Sequence, residues 1–563
     1  MHILHNARIY TLDDKTPTAT AIAIDRGRVL ALGDDREILT QFGGGARTLN
    51  MDQHPVIPGL IDAHVHLQHY ALGLQKIDCE VPTLEECIRR VAERVKTTPP
   101  GEWVLGHGWN QNDWEPPLAS PFTGGNEGGF PSAADLDKVA PNNPVYLTAK
   151  SLHTGWANSA ALREAEINAG IDDPADGEIQ RDQHGNPTGI FLEGAMWLVY
   201  RAIPEPRGEE LAEAIKVAQA KLWEMGLTGI HDFDGSVCLD ALQRLHLRGE
   251  LGLRVVKNIP VADLPHARAL GLRSGFGDEY LRIGGIKAFT DGALGPHTAA
   301  MLQPYENEPE NRGMLLLDAE QILEYGQEAA SSGLSMTVHA IGDRANHEVL
   351  NAFEKLREFE RNAMTEDRRR KTDSLGHRSS VIRPLRHRIE HAQLLHPGDA
   401  PRLADLGIIA SMQPIHATSD MHMADRCWGQ RAANAYTWRE QLNHGAVLAF
   451  GSDAPVESPN PFWGLHAAVT RQRADGSPGP EGWYPEQRLS IEETLRAYTI
   501  SAAYAAGTED QQGRLSPGYW ADLVVLDKDP FACEPEDLHN IKPLGTMVGG
   551  KWVFGAFSNQ AEM

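Results

Sequence analysis

Eight short apolar segments between residues 56 and 453 recur along the chain, and most run into a polar residue. They cover residues 56–66, 226–232, 253–258, 281–292, 335–339, 387–391, 408–414 and 446–453, with helical patterns between several of them, for example at 209–225 and 319–332. Strand–helix repetition is the mark of an α/β fold with a parallel sheet. Eight such units point to a closed (β/α)8 TIM barrel, whose chemistry gathers at the C-terminal ends of its strands.

The two ends of the chain read differently. Segments 6–12, 20–24 and 28–32 are short β candidates, the last two joined by the turn Asp25-Arg26-Gly27, and 521–527 and 546–554 have the same character. Alternating apolar runs around a Gly-containing turn signal a hairpin. We therefore expect a small β-sandwich built from residues 1–56 and 515–563, with the barrel in 57–514. A barrel needs about 250 residues. The surplus falls largely in 70–225, including the Gly- and Pro-rich stretches Glu115-Pro116-Pro117 and Thr123-Gly124-Gly125-Asn126. This segment is expected to be an inserted subdomain over the barrel mouth.

Composition narrows the function. The formal net charge is −25, from 77 acidic and 52 basic residues. Such a surface lacks the basic patches that supply nucleic-acid affinity. No apolar run reaches the ~20 residues needed to span a bilayer, and the N-terminus lacks the pattern of a secretory signal. The five cysteines show no C-x-x-C spacing, which reads as reduced thiols and a cytoplasmic protein.

The strand ends carry the chemistry. In Asp62-Ala63-His64-Val65-His66 the two histidines stand at i and i+2, on one face of a strand. Converging imidazoles suit zinc and its neighbours. The other strand ends add Lys287, His339, His391 and Asp453. Each alone reads as a satisfied core histidine, a salt-bridged lysine or a capping aspartate. Together, at one barrel mouth, they read as a site for a pair of metal ions. Lys287 is an odd member, because an ammonium has no lone pair. Nearby cations would lower its pKa, and a neutral amine can add carbon dioxide. The resulting carbamate, N6-carboxylysine, is an oxygen donor able to bridge two cations. The alternative is an internal salt bridge with Asp291.

These residues carry a family resemblance. Pro58-Gly59-Leu60-Ile61-Asp62-Ala63-His64-Val65-His66, Lys287-Ala288-Phe289-Thr290-Asp291-Gly292, His339-Ala340-Ile341-Gly342-Asp343, Arg388-Ile389-Glu390-His391, Met412-Gln413-Pro414 and Gly451-Ser452-Asp453-Ala454-Pro455 resemble the amidohydrolase superfamily. Within it the chain is similar to amidohydrolase family 3, the YtcJ-like branch that includes N-substituted formamide deformylases. The stretch from Ser151 to Leu162 is similar to that branch too. The resemblance implies that His64, His66 and Asp453 hold one divalent metal, that His339 and His391 hold a second, and that carboxylated Lys287 bridges them, zinc being the expected ion. One departure stands out: where the family often has a serine–arginine pair, this chain has Pro296 and His297.

The expected activity is hydrolysis of a non-peptide carbon–nitrogen bond, in a linear N-acyl or N-formyl amine, by a metal-bridging hydroxide. Metal can bring the pKa of water from 15.7 to about 7. Asp453 is the expected proton carrier. Expected substrate contacts are His153 and Trp156 in the inserted segment, Asp291, and Gln413 at the seventh strand. Trp103, Trp109, Trp114 and His107 are candidates for an apolar pocket. A cyclic-amide hydrolase or a deaminase on the same fold is the alternative, although a deaminase usually works with one metal. A scaffold without catalysis is a further one. The expected partner is a small amide, not nucleic acid or membrane, and a homodimer is the base-rate oligomer.

Overall fold

The computed structural model describes residues 1–111, 114, 130–150, 154–174, 177–372, 385–555 and 557. The chain forms two compact units, one from Met1–Tyr70 and Leu211–Met563, the other from Ala71–Glu210.

The first unit contains the barrel. Its strands are β1 (Leu60–Val65), β2 (Leu227–Asp232), β3 (Arg254–Pro260), β4 (Leu281–Phe289), β5 (Met336–Ala340), β6 (Arg388–His391), β7 (Ile409–Met412) and β8 (Leu448–Phe450). They pair in chain order, all parallel, and a parallel bridge from Val65 to Ala454 closes β8 onto β1. All eight segments expected from the sequence are strands of this sheet. Most of their residues are buried on both faces, which is why they read as continuous apolar runs rather than alternating ones.

Closure depends on a close approach. At Gly451 a Cβ would stand 2.5 Å from the His64 amide nitrogen and 2.6 Å from Asp62 Oδ1. Asp62 ties the seam. Its Oδ1 accepts from the amides of His64 (3.1 Å) and Ser452 (2.9 Å), and its Oδ2 accepts from Ser452 Oγ (2.5 Å). Burial pushes this carboxyl up to about 7, against those hydrogen bonds.

Two more sheets of the same unit form the sandwich. One runs Arg28–Gly33, Ala21–Asp25, His2–His5, Arg47–Asn50. The other runs Lys551–Gly555, Pro543–Val548, Leu523–Leu526, Pro55–Pro58, Arg8–Tyr10, Thr18–Ala19. Both chain ends therefore build one sheet, with Ile57 opposite Val524. Ile9, Ile22, Ile24, Val56, Leu523 and Val525 fill the core of this domain. The expected hairpin is present; Arg26 and Gly27 both have positive φ, the conformation of a two-residue primed turn.

The second unit has a six-stranded mixed sheet, ordered Gly177–Arg181, Pro187–Glu193, Thr154–Ala157, Val145–Ala149, Val104–Trp109, Ile77–Asp78. The unit ends at Glu210 rather than at 225. Helix Glu209–Glu224 buries Leu211, Ala212, Ile215, Ala218 and Leu222 as a barrel helix would, and belongs to the first unit from Leu211 onward. The stretches Glu115-Pro116-Pro117 and Thr123–Gly129 lie outside the described residues. Among the described residues no helix is long and apolar enough to cross a membrane.

Candidate metal centre

The barrel brings the scattered strand ends together. His64 and His66, at and just after the end of β1, have ring centroids 5.6 Å apart. His391, ending β6, lies 5.0 Å from His64 and 4.6 Å from His339 by ring centroids. Asp453, just beyond β8, places Oδ1 3.5 Å from Nε2 of both His64 and His66. Donor atoms of His64, His391 and Asp453 all lie within 4.8 Å of one another. Lys287 on β4 is buried, with Nζ 4.5 Å and 4.7 Å from the ring centroids of Phe233 and Phe289.

Each imidazole is oriented by a partner that accepts a proton. His64 Nδ1 donates to Glu390 Oε2 (2.6 Å), His66 Nδ1 to Asp234 Oδ1 (3.0 Å), and His391 Nδ1 to Gln413 Oε1 (2.8 Å). His339 is reversed: its Nε2 donates to the Gly292 carbonyl (2.9 Å). One nitrogen of each ring carries the proton, so the other keeps its lone pair. The lone pairs fall on Nε2 of His64, His66 and His391 and on Nδ1 of His339. Holding a ligating histidine by its second nitrogen is the usual way a protein fixes a metal ligand. Burial, and then the neighbouring cations and imidazoles, holds His64 and His391 well below the usual histidine range, so both are neutral.

Three atoms test whether this arrangement fits a metal. His64 Nε2, His416 Nε2 and Lys287 Nζ are buried and find no hydrogen-bond partner among the described residues. Leaving such groups unpaired costs about 1–3 kcal/mol each, a cost that a bound cation and a carboxylated lysine would offset. The donor set, neutral imidazole with carboxylate, suits zinc, iron, manganese or cobalt. The residues fit the group. Burial is the main reason Lys287 is pushed down to about 8, with Arg388 adding to it and Glu390 and Asp453 opposing. Apolar enclosure, rather than the neighbouring cations expected from the sequence, does most of this.

The backbone is shaped for the purpose. His391 and Asp453 have φ of +72° and +62°, uncommon for residues other than glycine. At His391 this breaks the alternation of the strand, so that Glu390 and His391 both reach ring partners in the site. Glu390, Asp234 and His416 were missed in the sequence. His416 stacks over His391 (6.1 Å) and places Nε2 3.9 Å from Asp453 Oδ2. Its place three residues after Gln413, one turn into helix Pro414–Trp428, was the available signal.

The expected substrate contacts need correction. Asp291 does not pair with Lys287. Its Oδ1 accepts from the Ile341 amide (3.1 Å) and its Oδ2 from those of Ala300 (2.9 Å) and Gly342 (2.8 Å). It clamps the loops after β4 and β5 and is almost wholly buried. Gln413 keeps a free Nε2 but spends Oε1 on His391. Trp156 is core: its indole donates to the Ser132 carbonyl (2.8 Å), and its ring packs against Trp109 and Trp114, 5.9 and 6.3 Å away. Those two tryptophans are core as well; Trp103 packs partly buried in a neighbouring cluster, and His107 pairs with Thr148 Oγ1 (2.9 Å). They form the second unit's own core rather than an open pocket. His153 lies outside the described residues.

The family model described as "Amidohydrolase family" matches residues 47–554. The chain belongs to the amidohydrolase family. Its relatives include Protein LONG AFTER FAR-RED 3 of Arabidopsis thaliana, 33% identical over 98% of this chain and 91% of its own. YtcJ of Bacillus subtilis is 30% identical over 98% of this chain and 99% of its own. The N-substituted formamide deformylase of Arthrobacter pascens is 28% identical over 97% and 96%. Among solved structures, a metal-dependent hydrolase from Pyrococcus furiosus covers 94% of this chain and 99% of its own, at 28% identity and a TM-score of 0.75.

Proposed function

We propose that this amidohydrolase cleaves the carbon–nitrogen bond of a linear N-acyl or N-formyl amine with the help of two divalent metal ions, zinc being the first choice. The observation that carries the reading is the gathering of donor atoms of His64, His391 and Asp453 within 4.8 Å of one another, with His66 Nε2 3.5 Å from the same carboxylate, the His339 ring beside that of His391, and a buried lysine amine without a hydrogen-bond partner among the described residues. His64, His66 and Asp453 would hold one ion, and His339 and His391 the other. Lys287 would bridge as a carbamate: its free amine forms an N–C bond to carbon dioxide and loses one proton.

When bound, such metals polarise a carbonyl and bring the pKa of water to about 7. The chain's own residues do the rest. Asp453 takes the proton of the attacking water on a carboxylate oxygen and delivers it to the leaving nitrogen. His416 Nε2, 3.9 Å from Asp453 Oδ2 and without a hydrogen-bond partner among the described residues, is a further imidazole nitrogen facing the site. Gln413 Nε2 is a free donor for the substrate carbonyl. Phe289, whose ring lies 5.1 Å from that of His339 and is 46% exposed, offers an apolar seat for the nitrogen substituent. Likeness to the formamide deformylase supports a linear substrate. The test is turnover of metal-reconstituted protein against N-alkyl and N-benzyl formamides, other N-acyl amines and cyclic amides. Release of a primary amine from linear amides is expected. Ring opening alone, or release of ammonia, would replace this reading by the cyclic-amide hydrolase or the deaminase.

A further inference from the structure

The departure at Pro296 and His297 makes no hydrogen bond or ion pair with the proposed ligands among the described residues, and builds a group of its own with Glu308 and Cys427. His297 follows β4, in the long connection that precedes helix Ala319–Ser331. Its Nδ1 donates to Glu308 Oε1 at 2.6 Å, so the lone pair falls on Nε2, and Nε2 lies 3.2 Å from Cys427 Sγ. Glu308 is fixed from its other oxygen, which accepts from Asn311 Nδ2 at 2.7 Å. Tyr305 stacks on the imidazole, with centroids 5.1 Å apart and planes 14° apart. Cys427 stands in the last turn of helix Pro414–Trp428, and its carbonyl accepts from the Glu306 amide at 2.9 Å. Thiol, base and orienting carboxylate thus stand in line, the arrangement that activates a nucleophile.

We propose that Cys427 is a reactive thiol, activated by His297 and Glu308, that is oxidised by hydrogen peroxide to a sulfenic acid. Hydrogen bonding to Asn311 and then to His297 holds the Glu308 carboxyl below its ordinary range, so it is the ionised partner that orients the ring. The step balances. The thiol proton moves to His297 Nε2. The thiolate sulfur attacks one peroxide oxygen, an S–O bond forms and the O–O bond breaks. The leaving hydroxide takes the proton back from Nε2 and departs as water. Sulfur is oxidised by two electrons and the peroxide is reduced by two. Peroxide suits the place because it is scarcely larger than water: Cys427 is 3% exposed, while the His297 side chain, at 30%, opens toward solvent.

The other four thiols supply internal standards. Cys79, Cys87 and Cys238 are fully buried, whereas Cys533 is half-buried and more accessible than Cys427. Accessibility alone therefore ranks Cys533 first, and activation ranks Cys427 first. The full-length protein is treated with peroxide in the presence of dimedone, and each cysteine's adduct is followed by peptide mass spectrometry. Cys427 should be labelled fastest, about tenfold ahead of Cys533. Replacing His297→Gln or Glu308→Gln, in variants with unchanged circular dichroism, should bring Cys427 down to the rate of Cys238. Labelling of Cys427 no faster than Cys533 in the unaltered protein overturns the proposal and needs no variant. A His297→Gln protein labelled at the original rate overturns the role of the imidazole.

Discussion

At the scale of single residues the site rests on protons held in stated places. Asp453 faces Nε2 of two histidines and lies near a third, His416. Asp453→Asn keeps an oxygen toward the metal and removes the proton carrier. Metal content should stay largely intact while turnover falls at least about a hundredfold; near-normal turnover would remove Asp453 from that role. Lys287 makes a pH prediction. Its amine is pushed down to about 8 by burial, and only the free amine adds carbon dioxide. At constant dissolved 13C-labelled carbon dioxide, the carbamate resonance of the metal-free protein should grow as pH rises through about 8 and vanish well below it. It should be missing at every pH in Lys287→Met. A signal that ignores pH, or survives that substitution, contradicts the carbamate. Residue scale is also where the sequence was least legible. His64, His66, Lys287, His339, His391 and Asp453 could be picked out because each sits where an apolar strand stops. Glu390 could not, since strand alternation should have turned it away from His391, and only the positive φ at His391 lets both reach the site. Trp156 misled for the opposite reason: an aromatic beside a family-like stretch reads the same whether it lines a pocket or fills a core.

At the scale of elements, two contacts hold the barrel in shape. Gly451 lets β8 approach β1 so closely that Gly451→Ala would press a methyl on the His64 amide and Asp62. Overpacking of this kind costs typically about 1–3 kcal/mol. Here it also moves His64, so urea titration should show the loss in stability and metal analysis a loss in occupancy. On β3, Arg254 donates through Nε (2.6 Å) and Nη2 (2.9 Å) to the two oxygens of Asp522, with Trp520 stacked 3.9 Å from the guanidinium. Both charges are buried, 4% exposed each. Removing one partner strands the other, at about 3–5 kcal/mol. Arg254→Met should therefore lower stability by that much in denaturant titration, and Arg254→Met with Asp522→Leu should recover part of it. Stability unchanged by Arg254→Met would mean the pair carries nothing. The strands themselves were the most legible elements, because double-sided burial writes an unbroken apolar run. The limits of the inserted segment were less so: helix Glu209–Glu224 has the same apolar spacing whichever unit it packs in.

At the scale of the whole molecule the chain ends are structural. Strand Pro55–Pro58 pairs with Leu523–Leu526 and leads through Gly59 straight into β1, which carries His64. A chain cut after residue 514 loses that partner strand and the core residues Leu515, Leu523 and Val525. It should accumulate as insoluble protein, whereas a soluble, metal-replete truncation would show that the barrel stands without its sandwich. That both ends share one domain was readable from their common β character, although the strand order was not. The central claim is that six residues from five barrel-strand ends surround a pair of cations. Anomalous diffraction from crystals grown with zinc measures this directly. Two peaks are expected, one beside His64, His66 and Asp453 and one beside His339 and His391, with density extending from Lys287 Nζ between them. Zinc elsewhere, or none at these side chains, contradicts the account.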